Sequence, residues 1–130
     1  MSAVYVDTSA LGRVLLDEPD RRRIERALET FDDQVSSRLL RVELRRLALR
    51  EGLLSADAVL ARITLVPLDA AILAAAETIA PAGVATLDAI HLASAVRLAA
   101  DGELDAVLTF DRRLAEGARH HGLDVLSPGS

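Results

Sequence analysis

Two short runs, Ala3-Val4-Tyr5-Val6 and Ala106-Val107-Leu108-Thr109-Phe110, are apolar almost throughout and lack the alternation of a half-exposed strand. Strands of that kind are covered on both faces. Amphipathic stretches of helical length lie between the runs, and strands joined through helices pair in parallel by right-handed crossovers. The chain therefore predicts an α/β fold, a three-layer α/β/α sandwich around a short, mostly parallel central sheet.

Caps and breakers divide the rest. Asp7-Thr8-Ser9 caps a short helix over 10–16, and 21–31 forms a second with Ile24, Ala27, Leu28 and Phe31 on one face. Residues 34–36 suit a brief strand, after which Ser37 caps a long helix to about Arg50, ended by Gly52. Ser55-Ala56-Asp57 opens another helix, and 63–68 is β-favouring despite Pro67. Asp69 caps a helix over 70–80, which Pro81 and Gly83 terminate. A helix over 86–100 closes at Asp101-Gly102, Asp111 caps one reaching about His121, and Val125-Leu126 makes a last strand. Ser127-Pro128-Gly129-Ser130 reads as a loose tail, and residues 1–130 as a single domain without repeats or linkers.

Composition narrows the function. No apolar run approaches the roughly 18 residues of a membrane span. The start, Met1-Ser2-Ala3-Val4-Tyr5-Val6, lacks the basic region of a signal peptide, so a cytoplasmic location is expected. The absence of cysteine excludes disulfides and thiolate metal sites. The net charge of −5, with all 15 basic residues arginine, argues against a general RNA-coating role. It does not argue against a nuclease, whose acids are offset locally by bound cations.

In open parallel sheets, active sites form beyond the carboxyl ends of the strands. Asp7 and Asp111 stand at such ends, although each also suits a helix cap, and the two roles are compatible. Glu43 falls in an apolar stripe with Leu39, Leu40 and Leu47. A carboxylate there needs compensation, from an arginine or from a metal ion. Asp88 opens the helix Thr86-Leu87-Asp88-Ala89-Ile90-His91, and Asp69 has a similar setting that spacing alone does not exclude. Carboxylates converging in a low-dielectric cleft repel one another unless cations sit among them, and oxygen-only donors favour Mg²⁺ or Mn²⁺.

With these pieces in order, the sequence resembles the PIN domain family, and within it the VapC-type toxins. The likeness is carried by Val6-Asp7-Thr8-Ser9-Ala10-Leu11, by Ser36-Ser37 leading to Val42-Glu43-Leu44-Arg45-Arg46, and by Leu87-Asp88-Ala89-Ile90-His91-Leu92-Ala93-Ser94-Ala95. Val107-Leu108-Thr109-Phe110-Asp111-Arg112-Arg113-Leu114 and the ending Gly122-Leu123-Asp124-Val125 complete it. The resemblance implies that Asp7, Glu43, Asp88 and Asp111 form an acidic metal site, with Thr8, Ser9 and Thr109 as polar neighbours and Asp69 left to capping. It implies a Mg²⁺- or Mn²⁺-dependent endoribonuclease that leaves a 5′-phosphate and a 3′-hydroxyl. It also implies a homodimer held in check by a VapB-type antitoxin whose tail blocks the acidic cleft.

Arginine forks pair well with phosphates, which makes Arg41, Arg45 and Arg112 candidate RNA-backbone contacts against the alternative of a solvated helix face. His91 lies one turn after Asp88 and reads as a packed, hydrogen-bonded histidine that could support the site. His120 and His121 suit a helix C-terminus. A phosphoacceptor receiver domain would need a lysine, and a haloacid-dehalogenase-like phosphatase an Asp-x-Asp after the first strand; neither is present. A PIN-fold binding module without cleavage and a DNA-directed nuclease are the remaining alternatives.

Overall fold

The computed structural model describes residues 2–128; Met1 and the tail residues Gly129 and Ser130 lie outside the described residues. In chain order the elements are β1 (Ala3–Val6), α1 (Thr8–Leu15), α2 (Arg21–Glu29), β2 (Asp33–Ser37), α3 (Arg38–Glu51) and α4 (Ala56–Leu60). They continue with β3 (Thr64–Val66), α5 (Ala70–Ala76), α6 (Thr86–Ala100), β4 (Ala106–Leu108), α7 (Arg112–His120) and β5 (Asp124–Leu126).

The sheet has the order β3-β2-β1-β4-β5, and every pairing is parallel. All of β1 is buried, as a strand covered on both faces must be. Its side chains alternate between two cores. Val4 and Val6, with Ala106 and Leu108 of β4, pack among residues of α1 to α4. Tyr5 and Val107 point the other way, onto Leu92 and Ala95 of α6 and Leu114 and Ala118 of α7. The three layers follow directly.

Strand order positions the functional edge. From β1 the chain departs through α1 and α2 to β2 on one side, whereas from β4 it departs through α7 to β5 on the other. Adjacent strands whose connections leave in opposite directions open a crevice at their carboxyl ends. Asp7 follows one of these strands, and Thr109-Phe110-Asp111 follows the other.

Some boundaries differ from expectation. α5 stops at Ala76 rather than at residue 80, because the Glu77 and Thr78 amides turn to the carbonyls of Ala74 (3.2 Å) and Ala75 (3.3 Å). That tightening precedes Pro81, which disfavours a helical residue before it. β4 ends at Leu108, yet the Thr109 amide still donates to the Leu126 carbonyl at 3.1 Å. Ser127 is not loose: its hydroxyl donates to the Thr109 carbonyl at 2.6 Å. α3 ends as expected at Gly52, whose φ of 68° completes a left-handed cap.

Candidate active site

Asp7 is the N-cap of α1 and is 2% exposed. Its Oδ1 accepts from the Ala10 amide (3.3 Å) and from Ser9 Oγ (2.8 Å), and its Oδ2 accepts from Thr109 Oγ1 (2.8 Å). Capping and site placement thus coexist in one carboxylate. Burial pushes the Asp7 carboxyl above its usual range, and the Thr109 and Ser9 hydroxyls oppose the shift. These hydroxyls also tie β1 to β4. Ser9 Oγ accepts from the Phe110 amide at 2.8 Å, and Thr109 Oγ1 accepts from the Asp111 amide at 3.0 Å.

Asp111 caps α7 through Oδ1 and the Leu114 amide at 2.9 Å. Its carboxyl faces that of Asp88, in the first turn of α6. Burial, Asp111 and then the charge of Asp7 push the Asp88 carboxyl up to about 7. The fold therefore brings three of the sequence-singled acids, Asp7, Asp88 and Asp111, into one electrostatic group.

Glu43 sits apart from that group in its bonding. Its Oε1 accepts from Thr8 Oγ1 at 2.8 Å and from His91 Nε2 at 2.7 Å. Partial burial works against its charge, but the His91 and Thr8 bonds outweigh that and hold the carboxyl below its usual range. Sequence reasoning expected compensation from an arginine or a metal. The structure supplies a histidine and a threonine.

Among the described residues, no three His, Asp or Glu side chains stand together as a ready-made chelate. Each acid faces its own protein partners: Asp7 the two hydroxyls, Asp88 the Asp111 carboxyl, and Glu43 the imidazole. The arginines divide. Arg45 is bonded to Asp57, Arg41 is half-buried, and Arg112 is exposed at the start of α7. Asp69 caps α5 through the Ile72 amide (2.9 Å) and pairs with Arg97. A cavity of about 210 Å³ bounded by Leu11, Val14, Leu28, Val59 and Ile63 has none of the four sequence-singled acids in its lining.

The fold agrees with what the chain is similar to. The PIN domain model matches residues 4–120. The chain belongs to the PIN domain family. Ribonuclease VapC47 of Mycobacterium tuberculosis (strain CDC 1551 / Oshkosh) is 38% identical to this PIN domain over 135 residues, with 98% of each chain covered. Ribonuclease VapC46 of Mycobacterium tuberculosis (strain ATCC 25618 / H37Rv) is 37% identical over 131 residues, with 98% of this chain and 99% of that one covered. Among solved structures, Mycobacterium tuberculosis VapC20, a sarcin-ricin loop cleaving toxin, superposes with a TM-score of 0.67 at 18% identity, covering 87% of this chain and 93% of its own. That likeness shows a shared fold.

One residue of this PIN domain escaped the sequence reading altogether. Tyr5, 1% exposed, meets His91 Nδ1 through its hydroxyl at 2.7 Å. In sequence it is one apolar position of a buried strand, and only the parallel neighbours and α6 give its hydroxyl a partner. His91 is packed and hydrogen-bonded as expected, and it also reaches the site.

Proposed function

We propose that this PIN domain is a divalent-metal-dependent endoribonuclease, the toxin of a VapB–VapC-type pair, with Asp7, Glu43, Asp88 and Asp111 as its acidic site. The observation that carries the reading is the Asp88–Asp111 pair backed by Asp7. Facing carboxylates repel one another, and the rise of Asp88 to about 7 reflects burial and that repulsion, which a bound cation would relieve. The donors are all oxygens, the set that suits Mg²⁺ or Mn²⁺. PIN-domain ribonucleases of the VapC type are generally divalent-metal dependent.

Asp88, Asp111 and Asp7 would hold the ion, with Glu43, fixed by Thr8 and His91, completing the acidic set. A divalent cation bound there supplies Lewis acidity, which activates water and offsets charge on the phosphodiester. The protein's own part is preorganisation. Ser9 and Thr109 fix the Asp7 oxygens, and Thr8 fixes Glu43. Arg112 and Arg41 are the arginines best suited to the RNA backbone, because Arg45 is engaged by Asp57. Names of the relatives support an RNA substrate and a VapB partner. A homodimer of single PIN domains, residues 1–130, working in the cytoplasm, completes the proposal.

The test is cleavage of an RNA pool and a matched DNA pool by protein freed of any bound antitoxin, with Mn²⁺, with Mg²⁺ and with excess EDTA. The expected result is RNA cut only with metal, leaving 5′-phosphate ends. Cleavage that persists in chelator overturns the metal mechanism, cutting of DNA alone overturns the substrate, and no cleavage with either ion overturns the enzyme.

A further inference from the structure

A buried chain of polar groups runs from β1 to the acidic edge: Tyr5 Oη to His91 Nδ1 at 2.7 Å, then His91 Nε2 to Glu43 Oε1 at 2.7 Å. Tyr5 and His91 are 1% and 2% exposed; Leu92, Ala95 and Val107 pack around Tyr5, and the Ser36, Ser37 and Ser94 hydroxyls lie nearby. Burying a phenol and an imidazole among aliphatic side chains is unfavourable unless each is hydrogen-bonded, and here each satisfies the other.

The direction of the bonds follows from chemistry. The Glu43 carboxylate accepts only, so His91 Nε2 carries the hydrogen between them. In the neutral ring, Nδ1 is then bare and accepts from the Tyr5 hydroxyl. Burial, only partly offset by the nearby Ser37, Ser36 and Ser94 hydroxyls, raises that hydroxyl to about 12, so it remains a donor. Glu43 thereby sets the tautomer of His91, and Tyr5 pairs the nitrogen that this tautomer leaves bare, so the ring is tethered at both ends with one N–H aimed at Glu43. The rings meet edge to face, 5.7 Å between centroids at 75°, which restricts rotation of the imidazole. An apolar pair of the same volume would fill this space without aiming anything at the site.

Resting on the ribonuclease reading above, we propose that His91, backed by Tyr5, is a positioning residue that holds the Glu43 carboxylate in place for cation and substrate. It clamps Glu43 from α6, as Thr8 does from α1. His91 touches neither RNA nor the reacting atoms.

The experiment compares the parent, Tyr5→Phe, His91→Gln and His91→Leu by ring ¹⁵N–¹H correlation where the ring is present, Mn²⁺ binding, RNA cleavage and thermal melting. In the neutral ring the parent should show the Nε2-protonated tautomer, and Tyr5→Phe, which keeps the Glu43 bond but leaves Nδ1 without a donor, should free the ring and weaken Mn²⁺ binding in the same direction as His91→Leu. Gln keeps an N–H near the Nε2 position and Leu does not. His91→Leu should therefore bind Mn²⁺ and cleave about 10-fold less well, and His91→Gln should recover most of the loss. If His91→Leu does not fold, Tyr5→Phe and His91→Gln carry the comparison. Nδ1 protonation in the parent, or a folded His91→Leu that binds and cleaves like the parent, overturns the proposal. If the parent neither binds Mn²⁺ nor cleaves RNA, the ribonuclease reading fails, and the clamp is then judged on the parent's neutral ring alone: Nε2 protonation with Nδ1 bare supports it, and the opposite tautomer overturns it.

Discussion

The Asp88 carboxyl faces that of Asp111, and burial together with that neighbour pushes Asp88 up to about 7 from an ordinary value of 3.8. Between those values the folded chain holds a proton that the unfolded chain has released. The stability this proton contributes is complete below about 3.8 and is lost as pH rises through about 7. The raised Asp7 has the same sign. Glu43, held low, has the opposite one: its contribution is present above its ordinary 4.5 and is lost as pH falls through its depressed folded value. In EDTA, the melting temperature should therefore fall from about pH 5 to about pH 8, and Asp88→Asn should flatten the fall. Adding Mn²⁺ should raise the melting temperature more at the higher pH, where the proton no longer competes. A parent curve that is flat or rises over this range would show that Asp88 is not raised.

Asp7→Asn keeps a good helix cap and the shape of the carboxyl while deleting its charge. Cleavage should fall by more than the roughly 10- to 100-fold typical of losing an outer supporting group, with the melting temperature in EDTA unchanged or higher. Asp69→Asn serves as the control. Asp69 caps α5 and pairs with Arg97, so its loss should leave cleavage intact. Full activity in Asp7→Asn would take Asp7 out of the site.

Thr109→Val deletes a fully buried hydroxyl that donates to Asp7 Oδ2 and accepts from the Asp111 amide. Leaving those groups unpaired should cost about 1–3 kcal/mol in denaturant melts and lower cleavage as well. Thr109→Ser, which keeps the hydroxyl, should restore most of both. Equal behaviour of the two variants would mean that the methyl group matters and the hydroxyl does not.

Gly117 in α7 lets that helix approach α6 closely. A Cβ there would lie 2.8 Å from Leu92 Cδ2 and 3.3 Å from Val84 Cγ2. Leu92 is fully buried and follows His91, so it has little room to yield. Gly117→Ala should destabilise by about 1–3 kcal/mol despite its better helix propensity. By moving the Asp88 helix against the Asp111 helix it should also weaken Mn²⁺ binding. A more stable variant with unchanged binding would show that the contact relaxes freely.

The acids were legible because they sit at places that local pattern marks. Asp7 and Asp111 end strands and begin helices, Asp88 opens a helix, and Glu43 interrupts an apolar stripe. Their identity as one group was not legible. Residues 7, 88 and 111 meet only because β1 and β4 become neighbours and α6 packs over them, which are long-range pairings that periodicity does not encode. The end of α5 was misjudged for a related reason: Ile79 and Ala80 continue the helical spacing set by Ile72, Ala75 and Ala76, while the constraint of Pro81 acts backward on the chain.

By itself the sequence determined the layered α/β architecture, since wholly apolar short runs between amphipathic segments leave few other ways to bury them. It also determined which side chains were chemically conspicuous. Only the tertiary structure decided what those side chains face: Glu43 a histidine and a threonine rather than an arginine, Asp88 another carboxyl, Tyr5 an imidazole. Local pattern is set by neighbours a few residues apart, whereas charge, protonation and hydrogen bonding are set by neighbours in space. In a parallel sheet those are brought together from distant parts of the chain.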